Sequence, residues 1–239
     1  MQSATEYTLA EQATPVHDAL RLVWQDPNTH RFIDVARLTD LGQGRYGFEY
    51  NDGARSKGFF PLSEFPDLTQ SYTCTSLPAF FANRVMSSRR GTYQSYLGWL
   101  GLDDVPTPME ILARTGGGRA TDTFHVVDSF RERSGQRSGR FFASGISHIT
   151  NVESRLSALR QGDVLKLRDD TANPANPRAI LLDAQGGGEV GWVPDWLLND
   201  VHSMRQDSNL TITVEQVNLD APAHLRLLCR LEAVRPDQS

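Results

Sequence analysis

The feature that most constrains the fold is a nine-residue stretch near the middle of the chain that carries no apolar side chain. It reads RERSGQRSG from Arg131 to Gly139. A segment of this composition has no side chain to place in a hydrophobic core, so we expect it at the surface. We therefore interpret residues 129–139 as an Arg/Ser/Gly linker between two domains, at 19–128 and 140–239.

The residues before this stretch predict a small antiparallel sheet followed by helices. Apolar and polar residues alternate from Leu20 to Trp24 and again up to Tyr50, as in half-buried strands, and Asn51-Asp52-Gly53 is typical of a hairpin loop with glycine at positive φ. Helical spacing follows after Pro78, and Thr107-Pro108-Met109-Glu110 has the pattern of a capping box. Residues 1–18 form a polar leader without periodicity.

The residues after the stretch favour short strands again, with few and short helices between them. Apolar runs near residues 140–146, 164–167, 179–182 and 190–193 precede two longer alternating runs that close the chain. This density of strands is typical of a small barrel or a strongly bent sheet. The predicted fold class is therefore α+β and β-rich, in two parts.

The charge pattern is uneven along the 239 residues, whose formal net charge is −5. Residues 84–140 carry a net +3, and the segments on either side carry −4 each. Only Lys57 and Lys166 are lysines among the 24 basic residues. Arginine suits phosphate recognition, although a GC-rich coding bias produces the same excess. The pI near 5.7 is also below the ~9 that is typical of nucleic-acid-binding domains.

Several classes of function find no support in the sequence. The triglycine at 116–118 lacks the lysine and hydroxyl residue of a phosphate-binding loop, so ATP hydrolysis is not predicted. Two cysteines and unpaired histidines predict no metal site, and we expect neither a cofactor nor a catalytic constellation. No apolar run approaches the ~18 residues of a membrane span, and no secretory signal is visible. We expect a soluble, cytoplasmic protein without enzymatic activity or a membrane partner.

The second half carries an ordered set of short motifs. Gly145-Ile146-Ser147-His148 is followed by Asn173-Pro174-Ala175-Asn176-Pro177-Arg178 and then by Val190-Gly191-Trp192-Val193-Pro194. Over about residues 140–235 this order resembles the HIRAN domain, a module found in some chromatin-remodelling helicases and alone in bacteria. The resemblance implies a modified OB-like barrel that grips the 3′ end of single-stranded DNA.

The resemblance also implies a set of nucleic-acid-binding positions. They are His148, Asn173, Asn176 and Trp192 in the pocket, with Arg168 or Arg178 at its rim. The chain departs from the family's usual pattern: Asn176 stands where Asp is usual, Arg178 where Asn is usual, and Ile149 and Thr150 where some members have aromatic residues. Structural roles are the alternative for each position, since asparagines form turns and tryptophans fill cores.

A second resemblance covers about residues 20–100. The runs YGFEY at 46–50, FPLS at 60–63 and LPAFFANRV at 77–85 are similar to the small N-terminal subdomain of HipA-type toxin kinases. That resemblance implies a β-rich unit that packs on a kinase or restrains one as a separate chain. No kinase motif follows it here, so the activity is not implied.

Two functions of different classes follow from the sequence. The first is a non-enzymatic protein that recognises single-stranded DNA or a DNA 3′ end through the second domain and the basic linker. The alternative is an antitoxin-like or adaptor protein whose N-terminal domain docks on a protein partner such as a HipA-like kinase. The acidic flanks favour the alternative, and the HIRAN pattern favours DNA recognition.

Overall fold

The computed structural model describes residues 19–102, 105–118, 122–133 and 135–236, with the backbone alone at 131–133. The predicted polar leader at 1–18 lies outside the described residues. The chain forms two antiparallel sheets with a few short helices, so the predicted α+β, β-rich class is confirmed. None of the helices in the described residues is long and apolar enough to span a bilayer.

The first sheet has five strands in the order β4-β3-β2-β1-β5. Their bounds are β1 Ala19–Gln25, β2 Phe32–Gly42, β3 Arg45–Tyr50, β4 Ser71–Cys74 and β5 Phe124–Asp128. The strands expected from the alternation up to Tyr50 are therefore confirmed. Phe48, Phe65 and Phe81 are buried beneath this sheet, where Phe48 and Phe65 stack with ring centroids 4.0 Å apart.

Asn51-Asp52-Gly53 does not form the expected hairpin loop. Residues Asp52–Arg55 make a turn of 3₁₀ helix, and Asn51 caps it by accepting the Gly53 amide at 2.9 Å. Gly53 does not have positive φ. Glycine is required there for another reason, because a Cβ would lie 1.9 Å from the Asp34 carbonyl oxygen.

Three helices connect the fourth and fifth strands. They are α1 Ala79–Ala82, α2 Tyr93–Leu100 and α3 Pro108–Thr115. The predicted capping box is present: the Glu110 amide donates to the Thr107 hydroxyl, and the Glu110 carboxylate accepts the Thr107 amide at 2.7 Å. Gly116 then ends α3 at φ +72°, a conformation that glycine adopts without strain.

The second sheet has seven strands in the order β10-β9-β8-β11-β12-β7-β6. The strand bounds are β6 Arg131–Arg133, β7 Gln136–Phe142, β8 Val164–Asp169, β9 Ile180–Asp183, β10 Glu189–Trp192, β11 Asn209–Val217 and β12 Leu227–Val234, with helices α4 Val152–Ala158 and α5 Leu198–Asp207. After β7 the chain returns to the far strand, because Ser144 and Trp192 exchange two backbone hydrogen bonds of 2.8 and 3.0 Å. The sheet thus curls until β10 meets the continuation of β7, as the barrel-like prediction requires.

The stretch expected as a linker forms a hairpin of this second sheet instead. β7 pairs with β12 from Gln136–Val234 to Phe142–Leu228, and β6 pairs with β7. Backbone hydrogen bonds hold these residues, and such bonds need no apolar side chain. Gly139 also lies against the ring of Phe130, where a Cβ would be 2.4 Å from a ring carbon. The connection between the sheets is therefore short, at Ser129 and Phe130.

A third apolar cluster joins the two sheets. Its buried members come from α2, α3, the second sheet and the connection between β11 and β12, namely Tyr96, Leu97, Leu100, Ile111, Phe142, Ala221, Leu225 and Leu228. An ion pair adds to this contact, since Arg21 of β1 donates to Asp200 of α5 at 2.6 Å. The two sheets consequently share a packed interface, and a cleft remains beside it.

Candidate nucleic-acid interface

Trp192 lies at the point where the second sheet closes on itself. Its indole nitrogen donates to the Oδ2 atom of Asp170 at 2.9 Å. Its ring covers Gly145, because a Cβ on that glycine would lie 2.5 Å from ring atom Cε3. The side chain is partly buried against the second core. The edge of the ring is thus held by the Asp170 carboxylate, and one face of the ring packs on the backbone of Gly145.

His148 belongs to the 3₁₀ turn Ile146–His148 that begins at Gly145. The turn depends on that glycine, which has φ +69°. The His148 amide donates to the Gly145 carbonyl at 2.9 Å, and its side chain is exposed. The histidine and Trp192 therefore flank the same glycine.

The asparagine turn is held by its own side chains. The Oδ1 atom of Asn173 accepts the amides of Ala175 and Asn176 at 3.0 and 3.2 Å. Its Nδ2 atom donates to Asp170 Oδ2 at 3.0 Å. Asn176 donates to Asp195 at 3.1 Å and accepts the amide of the residue two positions later. Both asparagines thus act as turn formers, and Asn173 also reaches the carboxylate that holds Trp192.

The two arginines predicted at the rim have different partners. Arg168 on β8 bonds to Asp183 at 2.8 Å and to Glu189 at 3.1 Å. These two carboxylates raise the pKa of the Arg168 guanidinium further above its ordinary value. Arg178 instead donates to Asn199 of α5 at 2.9 Å. Arg168 therefore belongs to an ion-pair network on β8, and its charge also acts on Asp170, one residue beyond the end of that strand. Arg178 is bonded to α5.

An open groove of about 450 Å³ borders this face. Three basic side chains line it: Arg155, Lys166 and Arg168. Arg155 of α4 is fixed by carbonyls, with bonds of 2.8 Å to Glu189 and to Thr150. Lys166 is exposed and forms no ion pair with the described residues. The groove thus holds one cation that is free to meet a ligand.

Positive and negative charges are equal in number on the surface formed by this groove and the neighbouring Asp170. Its basic residues are Arg155, Lys166 and Arg168, and its acidic residues are Asp170, Asp183 and Glu189. The pKa of the Asp170 carboxyl lies below its usual range, because Asn173 and Trp192 donate hydrogen bonds to it. Asp170 is therefore ionised at neutral pH. The face as a whole is polar rather than strongly basic.

The structure thus brings together Trp192, Asn173 and Arg168 around Asp170, with His148 in the neighbouring turn, and it ties Arg178 to α5. The sequence reasoning missed Asp170 and Lys166. Alternate residues of a strand share one face, so Lys166 and Arg168 of β8 could have been grouped by continuing the predicted run at 164–167, whereas Asp170 lies one residue beyond the strand.

Within the described ranges, no group of three or more His, Cys, Asp or Glu side chains is placed to hold a metal ion. Cys229 is buried, which raises the pKa of its thiol, and Cys74 lies in the other sheet.

The comparisons with known proteins are sparse. No protein-family model and no curated protein sequence matches the chain. Among solved structures, the chain is similar to a structural-genomics protein from Lactobacillus plantarum, with 16% identity and a TM-score of 0.36 over 43% of this chain and all of that one. It is also similar to the HIRAN domain of human HLTF, with 15% identity and a TM-score of 0.34 over 45% of this chain and 85% of that one. These values establish neither a family nor a function. The resemblance of about residues 20–100 to the N-terminal subdomain of HipA-type kinases stays a prediction.

Proposed function

We propose that the chain is a non-enzymatic protein that binds single-stranded DNA at its 3′ end, on the face around Trp192 and Asp170. The observation that carries the proposal is the Asp170 carboxylate. Its Oδ2 atom accepts both Trp192 and Asn173, while its Oδ1 atom has no hydrogen-bond partner among the described residues. A fixed carboxylate with a free oxygen is a ready acceptor for a hydroxyl group.

The sugar-phosphate backbone of a DNA strand offers this acceptor a hydroxyl donor only at the ends of the strand. Internal nucleotides are joined by phosphodiesters, so a hydroxyl donor exists on the sugar-phosphate backbone only at a terminus. A terminal 3′ hydroxyl can donate to Asp170, whereas a terminal phosphate would be repelled by the same charge. The site therefore favours an unphosphorylated end.

Stacking and phosphate contacts supply the rest of the binding. A base that stacks on an aromatic side chain contributes about 1–3 kcal/mol, and Trp192 is the aromatic side chain at this site. Lys166 is available for one phosphate, and Arg168 is already paired with two carboxylates. We therefore expect modest affinity and a shallow salt dependence, with a slope near −0.7 for each phosphate contacted.

A binding titration with a matched tryptophan control tests the proposal. The anisotropy of a labelled single-stranded oligonucleotide is followed for the wild type, Trp192→Ala and Trp99→Ala. Trp99 is the control because it is also partly buried and also donates to a carboxylate, Asp220 at 3.3 Å.

The two variants should separate clearly. Loss of one stacked base predicts about a five- to hundredfold weaker affinity for Trp192→Ala, and Trp99→Ala should bind like the wild type. Circular dichroism verifies that both variants are folded. Equal affinity of Trp192→Ala and the wild type, or no binding by the wild type at low salt, would overturn the proposal.

A further inference from the structure

The cleft beside the interface of the two sheets is a cavity of about 330 Å³. Its wall is made by residues that are far apart in the chain, from α2, α3, β5, β7 and five connecting segments. Six of these residues carry charges or rings that a ligand could meet: Arg84, Tyr96, Arg114, His125, Trp196 and His224. This volume is at the lower end of the range for small-molecule sites, which often lie between packed units.

Arg114 is a largely buried arginine in the wall of this cleft. It lies on α3 and is only 8% exposed, yet it forms neither a hydrogen bond nor an ion pair with the described residues. Burial, and secondarily the charge of Arg140, lowers the pKa of Arg114 to about 10, while the carboxylates of Glu215, Asp128 and Glu110 act in the opposite direction. The guanidinium therefore remains charged at neutral pH. A largely buried charge that forms no hydrogen bond with the described residues is costly, and a bound ion or ligand is one way to satisfy it.

Arg84 brings a second guanidinium to the same wall. Its side chain is 1% exposed and is held by Gly117 at 2.7 Å, by Asp122 at 2.6 Å and by the ring of Phe80, 4.1 Å from its Cζ atom. Its Nε–H group is buried and has no acceptor among the described residues. The cleft therefore contains more hydrogen-bond donors than the surrounding residues satisfy.

The remaining lining is neutral and rich in rings. Burial lowers the pKa of His125 and of His224, so both imidazoles are uncharged at neutral pH. Tyr96 and Trp196 add two larger rings. None of the described residues that line the cleft is Asp or Glu. The wall combines positive charge with flat, polarisable surfaces.

We propose that this cleft binds a small organic anion, a phosphate or carboxylate group carried on a flat ring, with Arg114 pairing with the anionic group. The rings of Tyr96 and Trp196 provide the surfaces for the flat part of the ligand. The site is separate from the nucleic-acid face and does not depend on it.

A neighbouring open groove carries further positive charge. It shares Arg84 and Tyr96 with the cleft and has the exposed Arg90 among its lining residues. This charge attracts anions rather than cations to the surface beside the cleft.

Thermal denaturation of the full chain tests the proposal with defined probes. The wild type is heated alone and with phenyl phosphate, benzoate or the uncharged benzyl alcohol, each at several concentrations. A ligand that binds only the folded state raises the melting temperature in proportion to the logarithm of its concentration. We expect a rise with phenyl phosphate, benzoate or both, and none with benzyl alcohol. The comparison of the two anions identifies the preferred group.

Three variants give the controls. Arg114→Met should remove the rise, with affinity reduced about tenfold or more. The unliganded variant should melt no lower than the wild type, because it loses a buried charge that forms no hydrogen bond with the described residues. Arg114→Lys keeps a charge and should keep part of the rise. Arg45→Met makes the same substitution at an exposed position of β3 and should leave the rise unchanged.

The proposal is overturned if no anionic probe stabilises the wild type, a result that needs no variant. It is also overturned if the rise persists undiminished in folded Arg114→Met, or if benzyl alcohol stabilises the protein as strongly as the anions do.

Discussion

Gly145→Ala tests how the tryptophan face is built. At φ +69° an alanine costs about 1–2 kcal/mol relative to glycine. Its Cβ would also lie 2.5 Å from the Trp192 ring, which must move. If the ring moves, its 2.9 Å hydrogen bond to Asp170 is lost, which adds roughly 1–2 kcal/mol. The expected destabilisation is thus about 2–4 kcal/mol.

Urea or thermal unfolding measures this loss, and Gly44→Ala is the control. Gly44 has nearly the same φ, +72°, but open space around its Cβ position. At about 2–4 °C per kcal/mol for a chain of this size, Gly145→Ala should melt about 4–16 °C below the wild type. Gly44→Ala should lose only the backbone part, and DNA binding should weaken only in Gly145→Ala. If both variants lose the same stability, the ring contact is not the constraint that we describe.

Three further outcomes are expected. Asn173→Ala should lower the melting temperature by about 2–8 °C, because it removes one donated and two accepted hydrogen bonds of the turn; an unchanged melting temperature would contradict this role. Lys166→Met should make the slope of log K against log salt shallower by about 0.7, a change that Lys57→Met, in the other half of the chain, should not produce. The unfolded state binds protons more readily at His125 and His224 than the folded state does, since burial lowers both pKa values from 6.5. Stability is therefore fully present above about pH 6.5 and falls as the pH drops below it, so the urea midpoint should decrease between pH 7 and pH 5.5, and His125→Gln should reduce that decrease.

The parts of the fold that the sequence predicts are those encoded locally. Alternation fixes β1 to β3, and a capping box with a following glycine fixes both ends of α3. The hairpin of β6 and β7 was not predicted. Backbone hydrogen bonds to β12 hold β7, and these bonds require no alternation of apolar side chains that the sequence could show. The expected reason for glycine at position 53, a positive φ, is wrong. Glycine is needed there because the nearby Asp34 carbonyl leaves no room for a side chain.

The candidate site divides in the same way. Trp192 and Asn173 were identified from motifs, and their meeting at Asp170 depends on the closure of the sheet through Ser144. The cleft could not be predicted, because Arg84 and Arg114 come to line one cavity only when α3 packs against both β5 and β7. A lone arginine in a sequence carries no sign of whether it will be buried or paired.

The proposed function requires Asp170 to accept the terminal hydroxyl of a DNA strand. The most direct measurement compares the affinity for one single-stranded oligonucleotide that ends in a 3′ hydroxyl with that for the same strand ending in a 3′ phosphate. A hydrogen bond to a carboxylate is worth about 1.5–3 kcal/mol, so the wild type should prefer the hydroxyl end by roughly tenfold or more, and Asp170→Asn should lose most of this preference. Equal affinity for the two ends, or a preference that survives unchanged in Asp170→Asn, would contradict the account.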